Sequence, residues 1–401
     1  MARLLILLPT STYRAPDFMD AARAVGAEVV VGSDRRQALA GSMGDRAVVV
    51  DLGDPGAAVE AIAELHARQP LDGIVAVDDQ GVVAAALAAE RIGLAHNSPA
   101  SVAATRDKAA MRALLGAASV PQPRFAVIGP DDDPGGVGYP AVLKPLALSG
   151  SRGVIRANSR DEAVAAAARI RAMLAADGGG SQLLAEELLA GPEVAVEGML
   201  RASELEVLAV FDKPDPLEGP FFEETIYVTP SRLGPAVAGS VAEVTARACA
   251  ALGLKEGPVH AELRITPEGP KVIEVAARSI GGLCARTLRF GAGVSLEELI
   301  VRHALGLPTG DLRREAAAAG VMMLPIPRSG TLVGVAGVES ARQVEGIVDV
   351  VVTIPRGRPV VALPEGDRYL GFLFARGATP EAVEAALRAA HGALFVSVDP
   401  F

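Results

Sequence analysis

The sequence predicts a mixed α/β and α+β chain of several domains, and three observations carry that prediction. Residues 1–100 alternate short apolar runs with helical ones, the pattern of a small parallel sheet covered by helices on both faces. A central stretch from Val259 to Arg278 holds two alternating apolar runs around a Pro/Gly turn, which reads as a β-hairpin. The residues after Gly310 again alternate strand-like and helical runs, as a small α+β appendix would.

Bulk composition narrows the classes. At 401 residues the chain exceeds one small core, and with 50% apolar residues it can bury several. A net charge of −10 and the lack of a Lys/Arg-rich run argue against a nucleic-acid partner. Cys249 and Cys284 are too few for a disulfide framework, and neither CxxC nor a Cys/His zinc spacing occurs, which fits a reducing, cytoplasmic setting. Leu4–Leu8 is too short for a signal-peptide core. Ala-rich Val82–Ala89 is interrupted by charge before it could span a bilayer, so no membrane partner is expected.

Taken in order, Arg3–Leu8 reads as a buried strand, Pro16–Val25 as a helix and Glu28–Val31 as a strand. Further strands are expected at Ala47–Asp51 and Gly73–Val77, with helices at Pro55–Arg68 and Gln80–Ile92. The loop Pro9–Thr12 follows the first strand, where open α/β sheets place ligands, but no GxGxxG is present. Asp78 and Asp79 also follow a strand end, as a helix cap or as site residues. Ser98–Leu115 reads as one helix with Thr105–Lys108 inside or opening it. Strands follow at Arg124–Ile128 and Pro140–Pro145, then a helix at Asp161–Ala176, and strands at Gln182–Leu188 and Val194–Leu200. In the appendix, strands are expected at Gly320–Pro325, Gly346–Ile354, Tyr369–Ala375 and Leu394–Val398, and helices at Glu339–Gln343 and Pro380–Ala390.

Several of these elements carry chemistry. In the 259–278 hairpin, Glu262 and Glu274 can lie side by side on one face, where like charges repel unless a cation sits between them. Hard divalent cations take such oxygens and keep phosphate or water as further ligands. Two solvated acids with Arg278 as counter-ion are the plainer alternative. Lys144 lies mid-strand among apolar residues, a solvation problem unless an anion meets it. Directly after it, Leu148-Ser149-Gly150-Ser151-Arg152-Gly153 could turn backbone N–H groups toward phosphate, or be a hairpin turn. Glu186-Glu187-Leu188-Leu189 and Glu193 follow, with apolar residues for an adenine ring and an acid for ribose hydroxyls. His260, Tyr227, and Ser279 with Gly281 and Gly282 each admit a pocket role or a structural one, and Cys284 lacks a basic neighbour, so it reads as packing.

This pattern, from the first strand to about Leu307, resembles the ATP-grasp superfamily of carboxylate–amine ligases. The resemblance implies an ATP-grasp fold: a Rossmann-like N-terminal domain (1–100), a small lobe (101–185), a large lobe (186–307) and a closing domain (308–401). It implies ATP-binding roles for Lys108, Lys144, Ser149, Gly150, Ser151, Gly153, Glu186, Glu187, Leu188, Leu189 and Glu193. Glu262 and Glu274 would hold Mg²⁺, or Mn²⁺ in its place. Arg278 would be the catalytic arginine. Together with Glu224, Tyr227, His260, Ser279, Gly281 and Gly282, it would contact substrate. Ala276 stands where most members have Asn, and Glu274-Val275-Ala276-Ala277-Arg278 is more similar to the dipeptide-forming L-amino-acid ligase branch. The expected activity is ATP-dependent amide formation through an acyl phosphate, on small carboxylates and amines, with a homodimer as one arrangement. The alternatives are a bicarbonate- or formate-using relative, and an ATP-binding subunit without catalysis.

Overall fold

The computed structural model describes residues 1–36 and 44–401. Its N-terminal sheet is parallel, in the order Ala47–Val49, Glu28–Ser33, Arg3–Leu7, Gly73–Ala76. Alternation along the central strand feeds two cores: Leu4 and Ile6 pack with Phe18 of the helix Ala15–Ala24, whereas Leu5 and Leu7 pack with Ile62 and Ala85 of the helices Pro55–Arg68 and Val82–Ile92. Loops at the carboxyl ends of these strands open onto the central cavity.

The segment expected as one helix over Ser98–Leu115 is two, Pro99–Arg106 and Lys108–Ala117. Asp107 interrupts them in extended conformation, and its carboxylate accepts the N–H groups of Ala109 and Ala110 at 2.8 and 3.1 Å. That break places Lys108 in the first turn of the second helix, buried at the cavity.

The small lobe is an antiparallel sheet in the order Phe125–Ile128, Leu183–Glu187, Ala141–Pro145, Ile155–Ala157. The helix Arg160–Ala176 covers it, capped by Ser159 and burying Ala163, Ala167 and Ile170 against Leu143 and Leu183.

The largest sheet among the described residues has eight strands. Their order is Gly269–Ala276, Gly257–Thr266, Glu193–Arg201, Glu204–Lys213, Ile226–Thr229, Ala318–Leu324, Gly371–Gly377, Ile347–Val352. Its last three strands come from the C-terminal appendix, so that segment extends the large-lobe sheet rather than standing as a separate layer. Pairing Ala318–Leu324 against Ile226–Thr229 covers backbone groups that an edge strand would expose. Gly330–Ala336, Pro359–Val360 and Phe395–Asp399 make a separate sheet of their own. The strands Glu204–Lys213, Ile226–Thr229, Gly330–Ala336 and Pro359–Val360 and the helices Pro235–Ala251 and Leu296–Ala304 were not expected from sequence. No helix among the described residues is long and apolar enough to cross a membrane.

Candidate active site

A cavity of about 350 Å³ lies where the N-terminal loops, both lobes and the C-terminal segment 367–369 meet. The predicted hairpin forms its floor. Glu262 and Glu274 are cross-strand partners, and a β-bulge begins directly after Glu262. Such a bulge re-aims side chains, here at the point where two carboxylates face the cavity. Their partners differ. Glu274 Oε1 lies 3.4 Å from Lys108 Nζ, and among the described residues its Oε2 takes no hydrogen bond. Glu262 Oε1 lies 2.9 Å from Lys213 Nζ, with Tyr227 Oη and His260 Nε2 each 3.4 Å away.

Lys213 organises the deepest part of the site. Its ammonium donates to Glu193, Glu224 and Glu262 at 2.7, 2.8 and 2.9 Å, and it lies 5.0 Å from the Tyr227 ring centre. Arg264 adds a second cation to Glu193 at 2.8 Å. Burial opposes charge on Lys213, but the three carboxylates outweigh it and raise its pKa well above the ordinary lysine value. Glu262 is held well below the carboxylate range: burial works against it, but Lys213 and His260 prevail. Glu224 goes the other way, to about 7, because burial and the adjacent Glu262 outweigh Lys213. His260 hydrogen-bonds Glu197 through Nδ1; burial would lower its pKa, but Glu197 and Glu262 raise it to about 9. Glu197 also accepts the Ile280 N–H at 3.0 Å, which ties the histidine to the loop that carries Gly281 and Gly282.

The small lobe supplies the opposite wall. Lys144 is buried and sits 2.6 Å from Glu186, so its charge is not alone on its strand as the sequence suggested. Glu186 is shared with Arg112 at 2.5 Å, and Arg112 donates to the carbonyls of Val272 and Ile273 at 3.1 and 2.6 Å. Burial would raise the Glu186 pKa, but these two cations bring it down to about 2. A buried carboxylate therefore joins the small-lobe strand to the acidic hairpin. Glu187 turns outward to Arg124, with Leu188 and Leu189 continuing along the cavity edge.

The glycine loop sits above. Gly150, Ser151 and Gly153 all have positive φ, and Ser149, Gly150 and Ser151 line the cavity. Gly153 does not line it; a side chain there would press on the Pro145 ring, and its N–H donates to Pro364 O at 2.9 Å. Lys108 Nζ holds the start of this loop through Leu148 O at 2.8 Å.

Arg278 reaches the cavity from the hairpin's end but is not free. It donates to Asp79 at 2.8 Å and to Ser279 O at 2.9 Å, and Asp79 also meets Arg106 at 3.2 Å. Burial would raise the Asp79 pKa, but the two arginines hold it well below the usual range. Asp79 is therefore a site residue rather than a helix cap; the helix it precedes has no side-chain cap. Ser279 points away from the cavity, its hydroxyl accepting Arg14 at 2.8 Å. Glu193, Glu224, Tyr227, His260 and Glu262 stand together around the floor. Both cysteines are buried, and burial pushes the Cys249 thiol up to about 12 and raises Cys284 too, in keeping with packing roles.

Three segments match known domain families. Residues 137–287 match the ATP-grasp domain, residues 19–96 the ATP-grasp N-terminal domain, and residues 322–399 the L-amino acid ligase C-terminal domain 2. The chain belongs to the ATP-grasp superfamily. The fold of this ATP-grasp chain is similar to the crystal structure of L-amino acid ligase from Bacillus licheniformis, with TM-score 0.84, 24% identity and coverage of 100% of this chain and 99% of that one. In sequence it is 32% identical to carnosine synthase 1 of Gallus gallus over 52% of this chain and 23% of that protein. It is 26% identical to alanine–anticapsin ligase of Bacillus subtilis over 61% of this chain and 56% of that protein. The matched region thus spans less than two thirds of these curated relatives.

Sequence reasoning missed Lys213, Arg112, Glu197 and Arg14 in this ATP-grasp site, and left Asp79 open between a helix cap and a site residue. Lys213 carried a weaker form of the Lys144 signal, a lysine closing the run Val210-Phe211-Asp212-Lys213 with an acid beside it and no glycine loop after it. The others are partners, and only the fold brings them in. Glu193, Glu224 and Glu262 each offer an oxygen within 4.8 Å of one another, but Lys213 already lies among them. An ammonium already occupies the centre of the trio. Glu262 and Glu274 fit a divalent cation better, as carboxylates on one hairpin face with the Glu274 Oε2 uncommitted.

Proposed function

We propose that this chain is an ATP-dependent carboxylate–amine ligase that joins small amino acids or similar acids in an amide bond, releasing ADP and phosphate. One observation carries the reading: a single cavity holds two lysines on a glycine-loop wall, an acid pair on a hairpin, and an arginine at the end of that hairpin. The names of the relatives, a carnosine synthase and an alanine–anticapsin ligase, support it. The four units 1–100, 101–185, 186–307 and 308–401 are our division of this labour, and free buried cysteines suit a cytoplasmic setting.

A carboxylate is a poor acyl group because oxide would have to leave. A donor carboxylate oxygen attacks the γ-phosphorus of ATP, ADP departs, and an acyl phosphate forms. The amine nitrogen of the acceptor then attacks the acyl carbon, and inorganic phosphate carries away the carboxylate oxygen. Two anions must approach for the first step, and Lys108 and Lys144 offset phosphate charge on one side. Glu262 and Glu274 would hold Mg²⁺, or Mn²⁺, whose chemistry when bound is to shield phosphate oxygens. Arg278 presents its remaining donors to the acyl phosphate while Asp79 fixes its plane. Ser149, Gly150 and Ser151 cover the phosphates, and Leu188 and Leu189 flank adenine with Glu193 toward the ribose.

The test is ADP release from ATP and MgCl₂ with pairwise mixtures of amino acids and small carboxylates, bicarbonate and formate included, followed by mass spectrometry. An amide product whose formation tracks ADP release supports the ligase. Turnover with bicarbonate alone, or ATP binding without any turnover, replaces it with one of the two alternatives. On the productive pair, Arg278→Lys lowers kcat about 10²–10³-fold with ATP affinity little changed, since loss of a preorganised donor costs ~2.7–4 kcal/mol. Parallel loss of ATP binding would move Arg278 into the nucleotide site.

A further inference from the structure

The glycine loop is held at its two ends by different parts of the chain. Its start hangs from the Lys108 ammonium, which donates to Leu148 O at 2.8 Å. Its end rests on the C-terminal segment: the Gly153 N–H donates to Pro364 O at 2.9 Å, and Arg152 Nε donates to Glu365 O at 2.9 Å. Both acceptors are backbone carbonyls, so the loop is docked on the path of the chain rather than on a side chain. Neither Arg152 nor Gly153 lines the cavity.

A few residues further on, the same segment reaches the acidic floor. Tyr369 lines the cavity and its hydroxyl donates to Glu224 Oε2 at 3.2 Å, while Lys213 donates to Oε1 at 2.8 Å. The stretch between is stiff. The Gly366 N–H closes a turn onto Ala362 O at 3.0 Å, and a side chain at Gly366 would strike the Val361 carbonyl. Beyond the turn, Thr353 Oγ1 donates to Tyr369 O at 3.0 Å and Leu370 N donates to Leu324 O at 3.0 Å. The Tyr369 ring meets Phe372 edge-on, with ring centres 5.8 Å apart. Residues 364–369 are thus a strap with the glycine loop at one end and Glu224 at the other. A second crossing, the Arg156 N–H to Pro220 O at 2.9 Å, seats the small lobe on the large one without using this strap.

We propose that Tyr369 is a positioning residue that couples the acidic floor to the glycine loop, so that a substrate resting against Glu224 tightens the hold on ATP, and ATP tightens the substrate equally. The proposal rests on the ligase reading. With the loop docked, the strap is fixed at Pro364 and Glu365, and Tyr369 holds Glu224 in its place at the cavity. With the loop released, the strap loses that anchor and the Tyr369 hydroxyl loses its fixed position. A ligand that needs Glu224 in place therefore favours the docked loop, and a ligand gripped by the loop favours Glu224 in place. Such coupling is reciprocal in binding free energy, whichever ligand arrives first. The loop then holds ATP hardest when a carboxylate is present to take its phosphoryl group, which keeps water from taking it instead.

The experiment titrates the β,γ-methylene analogue of ATP with MgCl₂ by calorimetry, alone and with each member of the productive pair, in the wild type, Tyr369→Phe, Arg152→Gln and Asp177→Asn. In the wild type at least one member tightens the analogue about 10-fold and is itself tightened by the same factor. Tyr369→Phe keeps the ring on Phe372 and loses the hydroxyl, so the factor falls toward one while the affinity of each ligand alone falls by less. Arg152→Gln lowers the factor too, and combined with Tyr369→Phe it lowers it no further than Tyr369→Phe alone, since both cuts lie on one path. Asp177→Asn removes only the carboxylate partner of Arg152 and leaves the factor unchanged. Hydrogen exchange at the Gly153 amide, which lies outside the cavity lining, slows when that substrate alone is added to the wild type but not when it is added to Tyr369→Phe. A factor of one in the wild type, or a factor that survives Tyr369→Phe, overturns the strap and leaves the ligase standing. Absence of amide product from every pair overturns the ligase reading itself.

Discussion

Lys144 and Lys213 are both buried strand lysines, but Lys144 lines the cavity whereas Lys213 lies behind the acids that line it, and their surroundings set them different tasks. Lys144 has one carboxylate partner, Glu186, which Arg112 also holds. Lys213 has three, Glu193, Glu224 and Glu262. Two cations on one buried acid leave the small-lobe wall with spare positive charge, ready for an anion. At the floor four acids, Glu193, Glu197, Glu224 and Glu262, share Lys213, Arg264 and His260, which leaves no spare positive charge, so Lys213 serves to hold carboxylates together that would otherwise repel. Burial alone does not say whether a lysine meets phosphate; the count of its partners does.

That comparison breaks most visibly on removing each charge. Lys213→Met leaves Glu224 and Glu262 buried and facing one another, and loss of one member of a buried ionic group costs about 3–5 kcal/mol. Lys144→Met leaves Glu186 on Arg112, so stability falls by less than half as much while ATP affinity falls about 10- to 100-fold, the worth of a charge-assisted hydrogen bond. Urea unfolding of both variants, with calorimetric ATP titration of Lys144→Met, reads the contrast. Equal destabilisation would mean that partner number does not separate the two.

The sequence made one side of this comparison legible. Lys144 stood out because its strand, Ala141-Val142-Leu143-Lys144-Pro145, is otherwise apolar and a glycine loop follows at once. The parallel N-terminal sheet and the acidic hairpin were legible for the same reason: their signals are local, in periodicity and turn residues. Glu186 was read as an ATP-binding residue, but its side chain is the link between Arg112 and Lys144, 74 and 42 residues away in sequence. The Asp79–Arg278 pair spans 199 residues. No local pattern records such partners, and the same holds for the appendix strands that extend the large sheet instead of forming their own.

A second test sharpens the small-lobe side through pH. Glu186 has its pKa lowered from 4.5 to about 2, so it contributes stability that is fully present above pH 4.5 and is lost as pH falls through 2. The shift corresponds to something on the order of 3 kcal/mol. Glu186→Gln removes that contribution, so its deficit against wild type is full at pH 5 and narrows as the pH is lowered toward 3. Urea midpoints at the two pH values give the answer. A deficit that stays constant would show that the acid acts by packing rather than by charge.

The smallest effect belongs to an ion pair with the same chemistry but not the same burial. Glu365 meets Arg169 through two contacts, 2.6 and 2.9 Å, as well formed as any pair around Lys213. Its side chain is 39% exposed and that of Arg169 47%, so water already solvates both charges and salt screens them. Exposed pairs contribute about 0.2–1 kcal/mol, and Glu365→Gln is expected to lose no more than that. The docking of the glycine loop survives the change, because Gly153 N–H and Arg152 Nε bind the carbonyls of Pro364 and Glu365, not the carboxylate. Unfolding midpoints in low and high salt, with KM for ATP, measure both statements. A loss above about 2 kcal/mol would place this exposed pair alongside the buried ones, and partner geometry rather than desolvation would then govern what each ion pair in the molecule is worth.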